Sequence, residues 1–225
     1  MNKKSKLLTN MVVKGLLGFL LLGLPLFGAA GSLRYMNAWL LIAALFSLML
    51  AMSTLLLLKY PETLERRLKA KEKERAQKGY VSLIGLLFLA SFILAGLDYR
   101  FQWTRVPFGA SLCALLLMCL GYGLFAATIL QNAYASRVVE IQKDQTVVTT
   151  GLYAVVRHPM YLACLLVFPA MPLILGSYIA LLPMLLLPIG LILRINNEEA
   201  MLRADLSGYE AYMQKTKYRL IPFIW

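Results

Sequence analysis

Histidine, cysteine and acidic residues are all scarce in this chain of 225 residues. It has one histidine, His158, three cysteines, and 11 acidic residues against 23 Lys and Arg. Zinc sites draw on paired Cys or His ligands, which one histidine and three scattered cysteines do not supply. Cys113, Cys119 and Cys164 each lie inside an apolar stretch, where a reduced thiol behaves as a small core hydrophobe. A disulfide framework and a metal site are therefore not expected. A Ser-His-Asp device is also poorly supported, because His158 has no acid near it in sequence. Internal repeats and long low-complexity segments are not apparent.

What the chain has in excess is apolar surface. Hydrophobic residues make up 60% and charged residues 15%, and the mean hydropathy is +0.69. A soluble domain of this length cannot bury that much, so the composition describes an integral membrane protein. Stretches free of acids and bases run over 15–33, 35–58, 81–97, 106–136 and 160–193, and one span needs roughly 20 residues.

The last of these stretches decides the topology. It holds 34 residues, and a single helix of that length would far exceed a hydrocarbon core of about 30 Å. It must bend, and Gly176-Ser177 at its middle predicts two short helices of about 16 residues joined by a tight turn. Pro169, Pro172, Pro183 and Pro188 kink or shorten those arms, which membrane helices tolerate when neighbours satisfy the freed backbone groups. The expected fold is an all-α polytopic bundle of about six transmembrane helices, with a C-terminal helical hairpin and a cytoplasmic helical tail. Two regions follow: residues 1–105, N-terminal spans with a basic connection, and residues 106–225, a cofactor-binding catalytic region that includes the hairpin 160–193 and the tail.

Charge asymmetry supports the hairpin independently. Lys3, Lys4 and Lys6 precede the first span, residues 59–80 carry eight Lys/Arg against four Glu, Arg137, Lys143 and Arg157 follow the fourth span, and the tail is basic again. The alternate loops hold only Arg34, then Arg100 and Arg105. By the positive-inside rule both termini and the two long connections are cytoplasmic, which closes only if the last apolar run folds back. The first span imitates a signal peptide up to "FGAAGS", but Lys14 interrupts it and its removal leaves an odd number of spans, so it is read as a span. The net charge of +12 clusters beside membrane segments without an aromatic-basic recognition pattern. It fits anionic lipid head groups rather than nucleic acid.

Two segments outside the spans carry polar groups of chemical interest. "TTGLYAVVRHPMY" (149–161) sets Arg157 and His158 at the start of the hairpin, behind a segment, 131–150, whose alternating polar and β-branched residues read as an ordered re-entry. In the tail, Arg194 and Glu198, like Glu199 and Arg203, stand four apart on a helix that begins inside the bilayer. An unpaired carboxylate is expensive at that depth, so Glu198 and Glu199 call for a cationic partner: Arg157 or a cationic ligand.

"GLYAVVRHPMY" (151–161), the charge-free hairpin, "NNEEAML" (196–202) and "YEAYMQKTKYRLIP" (209–222) together resemble the isoprenylcysteine carboxyl methyltransferase-like family of integral-membrane methyltransferases, relatives of the phospholipid methyltransferases. The resemblance covers residues 120–225. It implies S-adenosylmethionine as cofactor, bound by the C-terminal half on the cytoplasmic side, and a lipophilic or small-molecule methyl acceptor delivered through the membrane. Residue by residue, Arg157, His158 and Tyr161 match its first motif and Glu198 and Glu199 its second. Gly121-Tyr122-Gly123 is a match to the Gly-x-Gly element of related lipid methyltransferases. Two departures, Leu152 for a common proline and Phe223 for a common glycine, touch no polar site group.

The chemistry agrees with these residue types. The amine and ribose hydroxyls of the implied cofactor call for acids, which Glu198 or Glu199 supply, and its carboxylate calls for donors, which Arg157 or His158 supply. Tyr161, Tyr209 and Tyr212 offer ring faces to adenine or to the sulfonium. Neighbouring glutamates on a helix point about 100° apart, so one binds while the other orients an arginine. Arg157, His158 and Glu199 form the expected catalytic group; with an amine or thiol acceptor, His158 takes the proton. Two alternatives are an NADPH-dependent membrane reductase of the sterol-reductase type, which shares the closing Tyr…Pro tail, and a non-enzymatic membrane adaptor.

Overall fold

The computed structural model describes residues 3–68, 75–132, 134 and 145–225, and every regular element among them is helical. The chain rises through α1 (Lys3–Ala30), returns through α2 (Met36–Lys59) and lays a short α3 (Pro61–Leu68) across the base. A second pair, α4 (Arg75–Phe101) and α5 (Phe108–Gln131), goes up and down again. A single 3-10 turn, Gly151–Ala154, leads into α6 (Pro159–Ile174). The chain then returns through α7 (Leu181–Met184) and α8 (Leu187–Asp205) to a final α9 (Tyr209–Lys215). Of the segment 131–150, residues 133 and 135–144 lie outside the described residues, and so do 69–74 of the basic connection.

Helices such as α2 and α5 are apolar all round, which in a small chain only a bilayer permits. Leu21 of α1 is 74% exposed and Leu120 of α5 is 62% exposed, so these faces meet hydrocarbon rather than water. Five segments, Lys4–Ala30, Met36–Lys59, Gly79–Phe101, Phe108–Gln131 and Leu181–Asp205, are long and apolar enough to cross a membrane, while Pro159–Ile174 is a shorter apolar helix. The protein is a multi-pass membrane protein.

The final apolar run folds back, but its arms are unequal, where two of similar length are expected from the sequence. The first has 16 residues and the second runs for 25. Pro159 sets the start of α6 directly after His158, whereas α8 does not stop with the apolar run at Leu193 but continues through the charged residues to Asp205. The expected six crossings are thus five of full length and one short arm.

The turn between the arms shows why the fold-back is stable. A helix leaves its last four carbonyls unpaired, and within a membrane each such group is costly. At the end of α6 the following N–H groups meet Met171 O, Pro172 O and Leu173 O, and other segments meet Leu173 O, Ile174 O and the next two carbonyls of the turn. Ser111 Oγ donates to Leu173 O at 2.9 Å, Asn37 Nδ2 to Ile174 O at 2.9 Å, the Tyr35 hydroxyl to Leu175 O at 2.5 Å, and the Val106 N–H to Gly176 O at 3.2 Å. Gly176 has φ +84, and a Cβ there would approach Asn37 Nδ2 to 3.1 Å, so the position takes glycine on two counts. Asp98, 2% exposed, completes the latch. Its carboxylate accepts from the Thr104 N–H at 2.7 Å, from the Thr104 hydroxyl, and from Ser177 Oγ at 2.5 Å.

Close helix contacts use small residues. A Cβ on Gly96 would fall 2.4 Å from Leu26 O, and one on Gly121 would fall 2.8 Å from Leu166 Cβ and 2.9 Å from Val167 Cγ2. Gly121 is therefore the place where α5 and α6 touch. Gly123, two residues on, has nothing within 4 Å of such an atom.

Two outcomes are expected. Gly121→Val, which forces α5 and α6 apart, lowers stability by about 1–3 kcal/mol in detergent unfolding scans, while Gly123→Val stays near wild type. In a background without the three native cysteines, cysteines introduced at Tyr178, in the hairpin turn, and at Glu210, on α9, react with membrane-impermeant thiol reagents from opposite sides. Labelling of both from one side would refute the fold-back.

Candidate functional site

The polar groups that the sequence scatters over 60 residues meet at the lower end of α6 and α8. The backbone arranges this first. The N–H groups of Arg157 and His158 donate to Tyr218 O and Arg219 O, each at 2.9 Å, so the tail after α9 runs alongside the start of α6. His158 occupies the N-cap position and Pro159 the first turn, where a missing N–H costs nothing. The Leu152 N–H, in the turn before, donates to Gln131 Oε1 at 2.9 Å and so ties the approach to the end of α5.

Glu199 lies at the centre. It is 2% exposed, Arg157 7% and His158 5%. Arg157 grips it with Nε at 2.6 Å from Oε1 and Nη2 at 3.3 Å from Oε2, the fork geometry that suits a guanidinium and a carboxylate. Arg219 adds a second guanidinium, Nε at 3.1 Å from Oε2, and His158 Nε2 lies 3.1 Å from Oε1. Arg157 Nη1 donates to Thr216 O and Lys217 O, both at 2.8 Å. Four of the five guanidinium N–H groups of Arg157 are thereby spent on protein acceptors. Glu199 accepts from two guanidiniums, so toward His158 it is an acceptor as well. His158 Nε2 is then the donor, and in a neutral ring Nδ1 is the nitrogen that accepts.

Glu198 takes the other direction off the helix. Its Oε2 accepts from the Tyr161 hydroxyl at 2.5 Å, and Arg194 Nε donates to that same hydroxyl at 2.9 Å. Arg157, His158, Tyr161, Arg194 and Glu198 line one wall of a cleft with about 860 Å³ of open space, counting the part that opens to solvent. Val147, Tyr153, Leu202, Leu206, Tyr209 and Tyr212 line it too, and as one packed cluster they form a second, mostly apolar wall.

That second wall is braced by the tail. The Tyr212 hydroxyl donates to Tyr153 O at 2.7 Å, Thr216 Oγ1 donates to the same carbonyl at 3.2 Å, and Asn132 Nδ2 donates to the Tyr153 hydroxyl at 3.0 Å. Burial pushes the Tyr153 phenol up to about 12 and raises Tyr209 and Tyr212 as well, because a phenolate loses its hydration there. All three stay neutral across the physiological range and act as hydroxyl donors or acceptors.

The structure therefore brings Arg157, His158, Tyr161, Glu198, Glu199 and Tyr212 into one site. It separates Gly121 and Gly123 from it: neither lines the cleft, and Gly121 is taken up by helix packing. Three features were not foreseen from the sequence. The Arg157 guanidinium is held by backbone carbonyls of the tail, Arg219 is the second cation on Glu199, and Tyr153 and Asn132 form part of the wall. Arg219 stands in the tail motif "YRLIP", whose two-cation geometry has no signature in spacing. Glu199 pairs across the hairpin, whereas Arg203, four residues on, reaches Met213 Sδ at 3.2 Å.

Comparison with known proteins finds a likeness over part of the chain. Residues 112–204 match the model of the isoprenylcysteine carboxyl methyltransferase (ICMT) family. No curated protein matches the chain. Over the matched stretch, from α5 to the end of α8, the chain is similar to that methyltransferase family. The stretch contains Arg157, His158, Tyr161, Glu198 and Glu199 and ends before α9.

The two glutamates are expected to differ in what they support. Glu199→Gln leaves the buried Arg157 guanidinium uncompensated and lowers stability by about 3–5 kcal/mol. Glu198→Gln, on the open side, changes it by less than about 1 kcal/mol. Unfolding of both variants in detergent measures the difference, and equal loss would contradict the division of labour.

Proposed function

We propose that this protein is an S-adenosylmethionine-dependent methyltransferase that binds its cofactor in the cleft between α6, α8 and the tail and methylates a lipophilic or membrane-delivered acceptor. The observation that carries the proposal is the cleft's division into a charged wall and an aromatic wall at the mouth of a membrane hairpin. A sulfonium nucleoside with an amino-acid tail needs both kinds of surface.

The residues present suit that molecule. Glu198 faces the cleft and offers a carboxylate to an amine or to ribose hydroxyls; Tyr161 and Arg194 set its position. His158 offers a ring nitrogen, and the apolar wall around Tyr153, Leu202, Leu206 and Tyr209 suits a flat heterocycle. Bound there, the cofactor supplies an electrophilic methyl group on a positively charged sulfur. Arg157 and Glu199 act one step behind, since their bonds to each other and to the tail leave them to hold His158 and the α6 start in place. They are positioning residues in this reading, and His158 is the catalytic candidate. Methyl transfer is an in-line displacement, in which alignment of the acceptor supplies much of the rate. A carboxylate acceptor needs no base, whereas an amine or thiol gives up a proton, and Nδ1 of His158 is the nitrogen able to receive it.

An apolar acceptor has a route to the same place. Ile192 and Leu193 of α8 are exposed to hydrocarbon just before the helix reaches the cleft, so an apolar acceptor can approach this end of the site through the bilayer. The basic tail, with Lys215 and Lys217 beside the site, supports the reading that this end of the bundle is cytoplasmic, by the positive-inside rule.

Calorimetric titration of the purified protein in detergent or nanodiscs is expected to show S-adenosylmethionine binding. Glu198→Gln weakens it about tenfold or more, as loss of a charged hydrogen-bond partner does, with little change in unfolding temperature. Unchanged affinity would remove Glu198 from the ligand contact; absence of binding by the wild type would remove the cofactor.

A further inference from the structure

Buried hydroxyls normally find partners, and an exception asks for an explanation. The buried tyrosines of this protein follow the rule closely. Tyr35 donates to Leu175 O and Tyr212 to Tyr153 O, as the half-buried Tyr161 does to Glu198. Tyr209 does not. It is 4% exposed, and its hydroxyl is the single buried side-chain nitrogen or oxygen without a hydrogen-bond partner among the described residues.

Its placement distinguishes it from a packing accident. Tyr209 opens α9 directly after Gly208, whose φ of +84 sharply turns the chain there. The ring packs with Leu206 and Tyr212 in a small cluster that includes Tyr153, Val147 and Leu202, and it lines the cleft. The hydroxyl also lies within electrostatic reach of Glu199, Glu198 and Arg157. Acceptors are thus near, yet none of them takes its proton. A phenol that is fixed by its ring, withdrawn from water and left without an acceptor is arranged for one that arrives from outside.

We infer that the Tyr209 hydroxyl is a ligand-binding donor of the cleft, reserved for a hydrogen-bond acceptor on the bound nucleoside cofactor. This rests on the reading of the cleft as the S-adenosylmethionine site, and it adds α9, which lies beyond the family match, to the binding surface. The acceptor belongs to the part that S-adenosylmethionine shares with S-adenosylhomocysteine, because a neutral phenol donor has no preference for the sulfonium.

The test is Tyr209→Phe in the full-length protein, with Tyr212→Phe as its comparison. Unfolding without ligand and calorimetric titration with each of the two nucleosides are measured for all three proteins. Tyr212→Phe loses an internal bond and unfolds at a lower temperature. Tyr209→Phe is expected to unfold at or above the wild-type temperature, since no internal bond is lost, and to bind both nucleosides about three- to tenfold more weakly. Affinities within twofold of wild type for both nucleosides would overturn the inference while leaving the cofactor reading intact. So would a ligand-free unfolding temperature that falls as far as in Tyr212→Phe, which would reveal a structural partner for the hydroxyl. Failure of the wild type to bind either nucleoside would remove the cofactor reading itself, and this inference with it.

Discussion

A carboxylate held between two guanidiniums at the end of a membrane hairpin constrains most of what surrounds it. Glu199 is taken almost wholly out of water, which for an isolated ion is prohibitive. Arg157, Arg219 and His158 make it tolerable, and they come from two pieces of chain: Arg157 and His158 from the entry to α6, Arg219 from the tail. The consequence is topological as well as energetic. The 42 residues between Arg157 and Glu199 can satisfy this carboxylate only if the helix that leaves Arg157 comes back. The tail can satisfy Arg157 only if it crosses beneath both arms. A network of this kind contributes little net stability against a hydrophobic replacement, but half of it is worse than none, so it favours a single arrangement of the three segments.

At the opposite end the same demand appears in neutral form. The carbonyls that end α6 are taken up by Tyr35 and Asn37 from the start of α2, by Val106, and by Ser111 of α5, and Asp98 of α4 holds Ser177 in the turn. The N-terminal half therefore acts as a frame for the hairpin even though the family likeness begins only in α5. With the turn fixed above and Glu199 fixed below, α6 and α8 have little freedom to slide. The distances among His158, Tyr161 and Glu198 follow from that rigidity.

Much of this was legible in the residues, and the limits have physical reasons. An apolar run too long for one crossing, with Gly176 at its middle, requires a turn; charges on alternate loops require the same turn. A pair of glutamates emerging from a bilayer helix requires a cation. These inferences use length, hydropathy and charge, which sequence displays directly. Which glutamate faces which way depends on helix phase relative to a partner helix, and the structure turns Glu199 inward and Glu198 toward the cleft. The unequal arms depend on where a helix stops, and α8 continues because its charged residues are good helix formers that find partners. The bonds from Arg157 to Thr216 O and Lys217 O were not legible, because every residue carries a carbonyl and no side chain marks the ones that will be used. Gly121 shows the converse. Its Gly-x-Gly context is a visible pattern, but small residues in membrane helices serve backbone approach, and here α6 occupies the space.

The division between matched and unmatched residues has a mechanical meaning. The groups proposed to carry the chemistry, His158, Tyr161 and Glu198, lie within the stretch that resembles the methyltransferase family. The groups that fix them lie partly in the tail beyond it: Arg219 on Glu199, the carbonyls of 216–219 on Arg157 and His158, Tyr212 and Thr216 on Tyr153. The short tail is held by the small cluster of Leu206, Tyr209 and Tyr212 and by what it bonds. Its bonds are to the very residues that set the cleft. Tail and cleft are therefore ordered together, and loss of one releases the other. An unpaired hydroxyl in such a region lowers stability by about 1–3 kcal/mol, and it sits where nearly every neighbouring polar group is satisfied. A site whose groups are largely bonded to one another holds its shape before a ligand arrives, and a donor left without a partner adds to ligand affinity without first breaking a bond.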